Sequence, residues 1–112
     1  MRPRFPFQRI DCAIAEALIG REDVLVLDVR DAASFRAGSM GEAHNVSFAS
    51  LSPIIDGAPR DMPILIYCYH GLASQEYAQI FSDFGFREVY SLDGGYEAWS
   101  MRSRPVSSGR TS

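Results

Sequence analysis

One thiol in this sequence is placed where a nucleophile would be. Residues 64–67 (Ile-Leu-Ile-Tyr) form a continuous apolar run, the pattern of a strand buried on both faces. The run closes on Cys68, a turn containing Gly71 follows, and then a helical pattern begins. A sulfur at the end of a buried strand, facing the first turn of the next helix, sits where backbone N–H groups stabilise an anion. An unperturbed thiol has a pKa of about 8.5, so only a few per cent is ionised at neutral pH. A helix end contributes about 0.3–1 kcal/mol, less than one pKa unit. Amides turned inward as a nest must supply the rest, and Gly71 allows the backbone conformation that such a nest needs.

The residues around the thiol narrow its chemistry. A cysteine phosphatase grips its substrate with an arginine after five intervening residues, and here that position is Ser74. No Lys or Arg occurs between Cys68 and Gln79, which disfavours phosphoryl chemistry. A dithiol oxidoreductase needs a second cysteine in a C-x-x-C pattern, where this chain has Gly71. A Cys–His hydrolase needs a facing imidazole, yet His70 is too near in sequence and His44 has no evident place beside the sulfur. What remains is a solitary activated thiol, whose natural covalent intermediate is a persulfide. A peroxide-sensing thiol is a more distant alternative.

Composition bounds the rest. With 112 residues, 46% hydrophobic and 22% charged, the chain suits one globular domain with its own core. A net charge of −3 gives no electrostatic case for nucleic acid. No apolar run approaches the roughly 18 residues of a membrane span. The basic N-terminus MRPRFPFQRI is broken by Pro and Gln with no cleavage site after it, so no leader and a cytoplasmic location are expected. Cys12 and Cys68 are then both expected reduced. Two histidines do not assemble a zinc site, and neither metal nor cofactor is expected.

The elements that must hold the thiol read as alternating strands and helices. Residues 7–10 suit an edge strand, followed by a helix capped by Asp11 and stopped by Gly20. On that helix Ile14, Ala17 and Leu18 share an apolar face with Ile10, while Cys12 falls away from it. Residues 24–29 predict a second buried strand, and Asp31 caps a short helix that Gly38 ends. Residues 43–46 suit a brief strand, and Ser47 or Ser50 caps a helix through Ile55. Residues 87–92 predict the last strand, Gly94 and Gly95 a turn, and residues 96–101 the last helix, with Trp99 as its packing anchor. The domain is expected over 7–101, with a disordered tail at 102–112. Connections too long for hairpins argue for a parallel sheet covered by helices, and such sheets bind ligands at the carboxyl ends of their strands. Asp28 and Cys68 both stand there. Asp28 is expected to bond backbone amides and Arg30, and His44 to satisfy local hydrogen bonds.

Five segments carry a resemblance: VLVLDVRD at 24–31, the helix end at 35–38, AHNV at 43–46, IYCYHGLAS at 66–74 and SLDGGYEAW at 91–99. Through them the chain resembles the single-domain rhodaneses, thiosulfate sulfurtransferases, and among these the bacterial GlpE type. The resemblance implies an α/β fold with a five-stranded parallel sheet and helices on both faces. It also implies a ping-pong reaction through a Cys68 persulfide, with Tyr69, His70, Gly71, Leu72, Ala73 and Ser74 as the substrate-binding loop. A thiosulfate-like anion would be the donor, and cyanide or a thiol such as thioredoxin the acceptor. Leu72 and Ala73 stand where relatives carry small polar residues, Ser39-Met40 replaces His-Ile, and Ser34 replaces a charged residue. With no cation in the loop, weak thiosulfate binding is expected, and another persulfide is the alternative donor. A rhodanese-like domain that binds a partner or carries persulfide without turnover is the alternative function.

Overall fold

The structure, a computed structural model, describes residues 5–21 and 23–102. Its centre is strand β4 (Ile64–Tyr67), whose four residues are all buried. Consecutive side chains of a strand point to opposite faces. Ile64 and Ile66 therefore join one core cluster, and Leu65 and Tyr67 join a second on the other side. A strand apolar at every position is stable only if both faces are covered, and here they are.

In chain order the other strands are β1 (Gln8–Ile10), β2 (Leu25–Asp28), β3 (His44–Asn45) and β5 (Val89–Leu92). They assemble in the order β1-β5-β4-β2-β3, and every pairing is parallel. The helices are α1 (Cys12–Ile19), α2 (Ala32–Ala37), α3 (Leu51–Gly57), α4 (Ala73–Asp83) and α5 (Gly95–Arg102), with a 3₁₀ turn at Phe48–Ser50. Leu51 and Ile55 of α3 and Tyr77, Ala78 and Phe81 of α4 pack on one face of the sheet. Ala15 and Leu18 of α1 pack on the other, with Tyr96 and Trp99 of α5 against them. The expected five-stranded parallel sheet between helical layers is the architecture found.

Capping is local and legible. The Asp11 carboxylate accepts from the Ile14 amide at 3.0 Å, and the Asp31 carboxylate from the Ser34 amide at 3.1 Å. The Ser34 hydroxyl also bonds Asp31 and completes this cap. Gly38 ends α2.

The face of α1 is the point where the sequence reading fails. Ile10 and Leu18 are buried as expected, but Ile14 is 54% exposed and Ala17 is exposed too, while Ala15 is buried and Cys12 packs against the core. The inward stripe is Cys12, Ala15, Leu18 and Ile19, about a third of a turn from the expected one. Ala15 is completely buried in the same cluster as Leu65 and Tyr67 of β4, and that packing sets the inward face at the cost of exposing one isoleucine. Cys12 and Cys68 are both free thiols, as expected. Helix α5 continues through Arg102, which bonds Glu16 of α1. The rest of the anticipated tail, residues 103–112, lies outside the described residues.

Candidate active site

Cys68 follows β4 directly and is only 6% exposed. Behind it, residues 69–72 turn sharply before α4. At Gly71 the backbone takes φ 98°, and a Cβ there would lie 2.8 Å from the Gly94 nitrogen. Only glycine satisfies both the positive φ and that close approach. The result is that the Gly71 amide points back at the sulfur and donates to Sγ at 3.0 Å.

A second donor comes from α4. Its N-cap residue, Leu72, has no side-chain oxygen to accept from the first turn. The sulfur supplies the missing acceptor: the amide and the hydroxyl of Ser74 both stabilise the ionised thiol, as do the amides of Gly71 and His70. Ser74 Oγ lies 3.4 Å from Sγ and 2.7 Å from Ser91 Oγ, and both serines are completely buried. Two effects compete at this thiol. Burial, the largest single influence, pushes its pKa up; the hydrogen bonds together push it down and win, leaving it below the ordinary value. Hydrogen bonds to a charged group contribute about 1.5–3 kcal/mol each, so several in concert outweigh the effect of burial.

The inward-facing amides require the loop carbonyls to be bonded elsewhere, and helix α5 does this. The Tyr96 amide donates to the Cys68 carbonyl at 2.8 Å, and the Glu97 amide to the Tyr69 carbonyl at 3.1 Å. Gln75 Nε2 donates to the Gly71 carbonyl at 2.8 Å. Gly95 makes the α5 contact possible. It has φ 61°, and a Cβ there would sit 2.5 Å from the Tyr69 carbonyl group. Ser91 and the α5 turn are the site components that inspection of the sequence missed. The hint in the sequence was that residues 91–99 are one of the segments that carry the resemblance.

Of the six residues expected in the substrate-binding loop, the structure separates two groups. Gly71 and Ser74 are buried and turned toward the sulfur. Tyr69, His70, Leu72 and Ala73 are exposed; Leu72 reaches 76%. His70 Nδ1 lies 2.9 Å from Glu97 Oε1, so the loop imidazole has an acidic partner at the surface. Asp28 is not at the sulfur. Completely buried, it accepts from the Arg30 amide at 2.8 Å and from the Arg30 guanidinium at 2.7 Å. The same guanidinium reaches the Gly38 carbonyl and stacks 4.0 Å from the Tyr96 ring centre. The expected structural role of Asp28 is therefore the one observed. His44 is exposed on the short edge strand β3. Among the described residues no group of three or more potential ligands could hold a metal ion, and no helix is long and apolar enough to cross a membrane.

Comparison with known proteins agrees with this geometry. Residues 11–102 match the rhodanese-like domain family. The thiosulfate sulfurtransferase GlpE of Vibrio cholerae is 37% identical over 100 residues, covering 89% of this chain and 94% of that protein. The thiosulfate sulfurtransferase GlpE of Coxiella burnetii is 39% identical over 93 residues, covering 83% of this chain and 87% of that protein. In three dimensions the Alr3790 protein from Anabaena superposes with a TM-score of 0.75 at 21% identity, over 86% of this chain and 79% of that one. The parallel five-stranded sheet, the hydrogen-bonded thiol at its carboxyl edge and these relatives together make the chain a member of the rhodanese family.

Proposed function

We propose that this protein is a thiosulfate sulfurtransferase whose sulfur passes through a persulfide on Cys68. The observation that carries the reading is the buried sulfur with a Gly71 amide at 3.0 Å and the Ser74 hydroxyl at 3.4 Å. In the first half-reaction the Cys68 thiolate attacks the outer sulfur of thiosulfate. A bond forms between Sγ and that sulfur, the sulfur–sulfur bond of thiosulfate breaks, and sulfite leaves with the electron pair. In the second, cyanide or the thiolate of a cellular thiol such as thioredoxin attacks the outer persulfide sulfur. The thiolate of Cys68 is returned with its electron pair, ready for another cycle.

The site residues divide the work. Cys68 is the nucleophile. Gly71 and Ser74 hold the negative charge on the sulfur before attack and after release. Tyr69, His70, Leu72 and Ala73 form the exposed rim that meets donor and acceptor. No Lys or Arg lies in the loop, and His70 is engaged with Glu97. A doubly charged donor is therefore held mainly by backbone dipoles, which favours high KM for thiosulfate and makes a second persulfide a competent donor. The reaction needs no metal or cofactor and takes place in the cytoplasm.

The test is mass spectrometry of the intact protein after incubation with thiosulfate. A gain of one sulfur atom that cyanide removes, and that is lost in Cys68→Ser, is the expected result. An adduct that survives in Cys68→Ser, or no adduct at all, overturns the proposal. A persulfide that forms in a single turnover without steady-state thiosulfate:cyanide activity would instead make the protein a persulfide carrier. The exposed Leu72 on a loop without cations favours that second reading over a silent fold.

A further inference from the structure

The two fully buried serines beside the sulfur have unequal standing. Ser74 touches Sγ, whereas Ser91, on β5, reaches the site only through Ser74 Oγ at 2.7 Å. A hydroxyl has one proton to donate and lone pairs to accept. While Cys68 is a thiol, its S–H donates to Ser74 and Ser74 can donate onward to Ser91. When the sulfur is anionic it can only accept, so the single proton of Ser74 is committed to Sγ. The 2.7 Å contact is then a hydrogen bond only if Ser91 donates to Ser74. Charge on the sulfur thus fixes the direction of the whole chain, from Ser91 to Ser74 to Cys68.

We infer that Ser91 is a positioning residue for sulfur transfer: from inside the sheet it holds the Ser74 hydroxyl in the rotamer that donates to the anionic sulfur. Three features support this. Ser91 faces the α4 side of the sheet at a position where its strand neighbour on that face, Val89, is a core residue. A hydroxyl there is costly unless bonded. Each donor in such a chain also polarises the next, strengthening the bond to the charged end. Finally, Ser91 is separated from Cys68 by Ser74, so it acts without contacting donor or acceptor. The inference rests on Cys68 being the reacting sulfur.

The measurement is the pH dependence of Cys68 alkylation by iodoacetamide, followed on the Cys68 peptide so that Cys12 does not interfere. In Ser91→Ala the midpoint should move up and the rate at pH 7 fall about twofold to fivefold, with the high-pH plateau unchanged. The same substitution in a Ser74→Ala background should produce no further shift, because the intermediary is gone. Charged groups on the surrounding elements stay constant across these variants: His70 with Glu97 of α5, Asp28 with Arg30, Asp93 with Arg9, and Glu76 in the first turn of α4. A folded Ser91→Ala whose midpoint does not move overturns the inference, as does an equal shift in the Ser74→Ala background. Should Ser91→Ala fail to fold, Ser91→Cys, with its weaker donor, reads the same midpoint. Alkylation needs no sulfur donor, so this experiment succeeds or fails independently of persulfide formation.

Discussion

Two cysteines in one small domain are driven in opposite directions by their surroundings. At Cys12 burial raises the pKa, Arg102 lowers it and Asp11 raises it again, for a net rise. At Cys68 burial also raises it, but hydrogen bonds from Ser74, Gly71 and His70 bring it below the ordinary value. A thiol with a lowered pKa is ionised over a wider range of pH, extending downward; one with a raised pKa is ionised over a narrower range. Alkylation followed peptide by peptide should therefore show a midpoint below that of a free thiol for Cys68 and above it for Cys12. Coincident midpoints would mean that the loop amides do not act on the sulfur. Ser74→Ala should raise the Cys68 midpoint and slow persulfide formation at neutral pH about tenfold, the equivalent of one charged hydrogen bond of about 1.5 kcal/mol. Stopped-flow measurement of sulfite release reads that change.

Among the elements, the turn into α5 matters to the chemistry as much as the helix that follows the cysteine. Gly95→Ala places a methyl group 2.5 Å from the Tyr69 carbonyl at a positive φ. The expected cost is about 1–3 kcal/mol of stability, with a larger loss of sulfur transfer because the loop carbonyls move. Urea unfolding and persulfide yield, measured together, check it. The Asp28–Arg30 pair ties the end of β2 to the Gly38 carbonyl and to Tyr96 on α5. Arg30→Met leaves a completely buried carboxylate without its charged partner and should cost about 3–5 kcal/mol, read as a lowered urea midpoint. Much of this element structure was legible in the sequence. Strands β2 and β4 announced themselves as apolar runs and β5 by alternation, and Asp11, Asp31, Gly20 and Gly38 marked helix ends. Cys68, Gly71 and Ser74 could be placed because strand end, glycine and helix start are consecutive. Ser91 could not, because its partner is 17 residues away and a serine in a strand gives no periodic signal. The face of α1 was misjudged because the sequence shows hydrophobicity but not rotation, and the core took in Ala15 while leaving Ile14 exposed.

For the molecule as a whole, both core clusters share the same sheet. Ile64 and Ile66 belong to one, Leu65 and Tyr67 to the other, so neither can melt without exposing β4. Unfolding should accordingly be a single transition, with Trp99 fluorescence and far-ultraviolet circular dichroism coinciding in urea; separated curves would show that the α1–α5 layer unfolds by itself. The contacts of α5 with the loop also have a temporal meaning. Cys68 precedes in the chain the Tyr96 and Glu97 amides that hold its neighbouring carbonyls. The carbonyls that flank the nucleophile are therefore tied down by residues made after it, and the loop reaches its described hydrogen bonding only once α5 has packed against it.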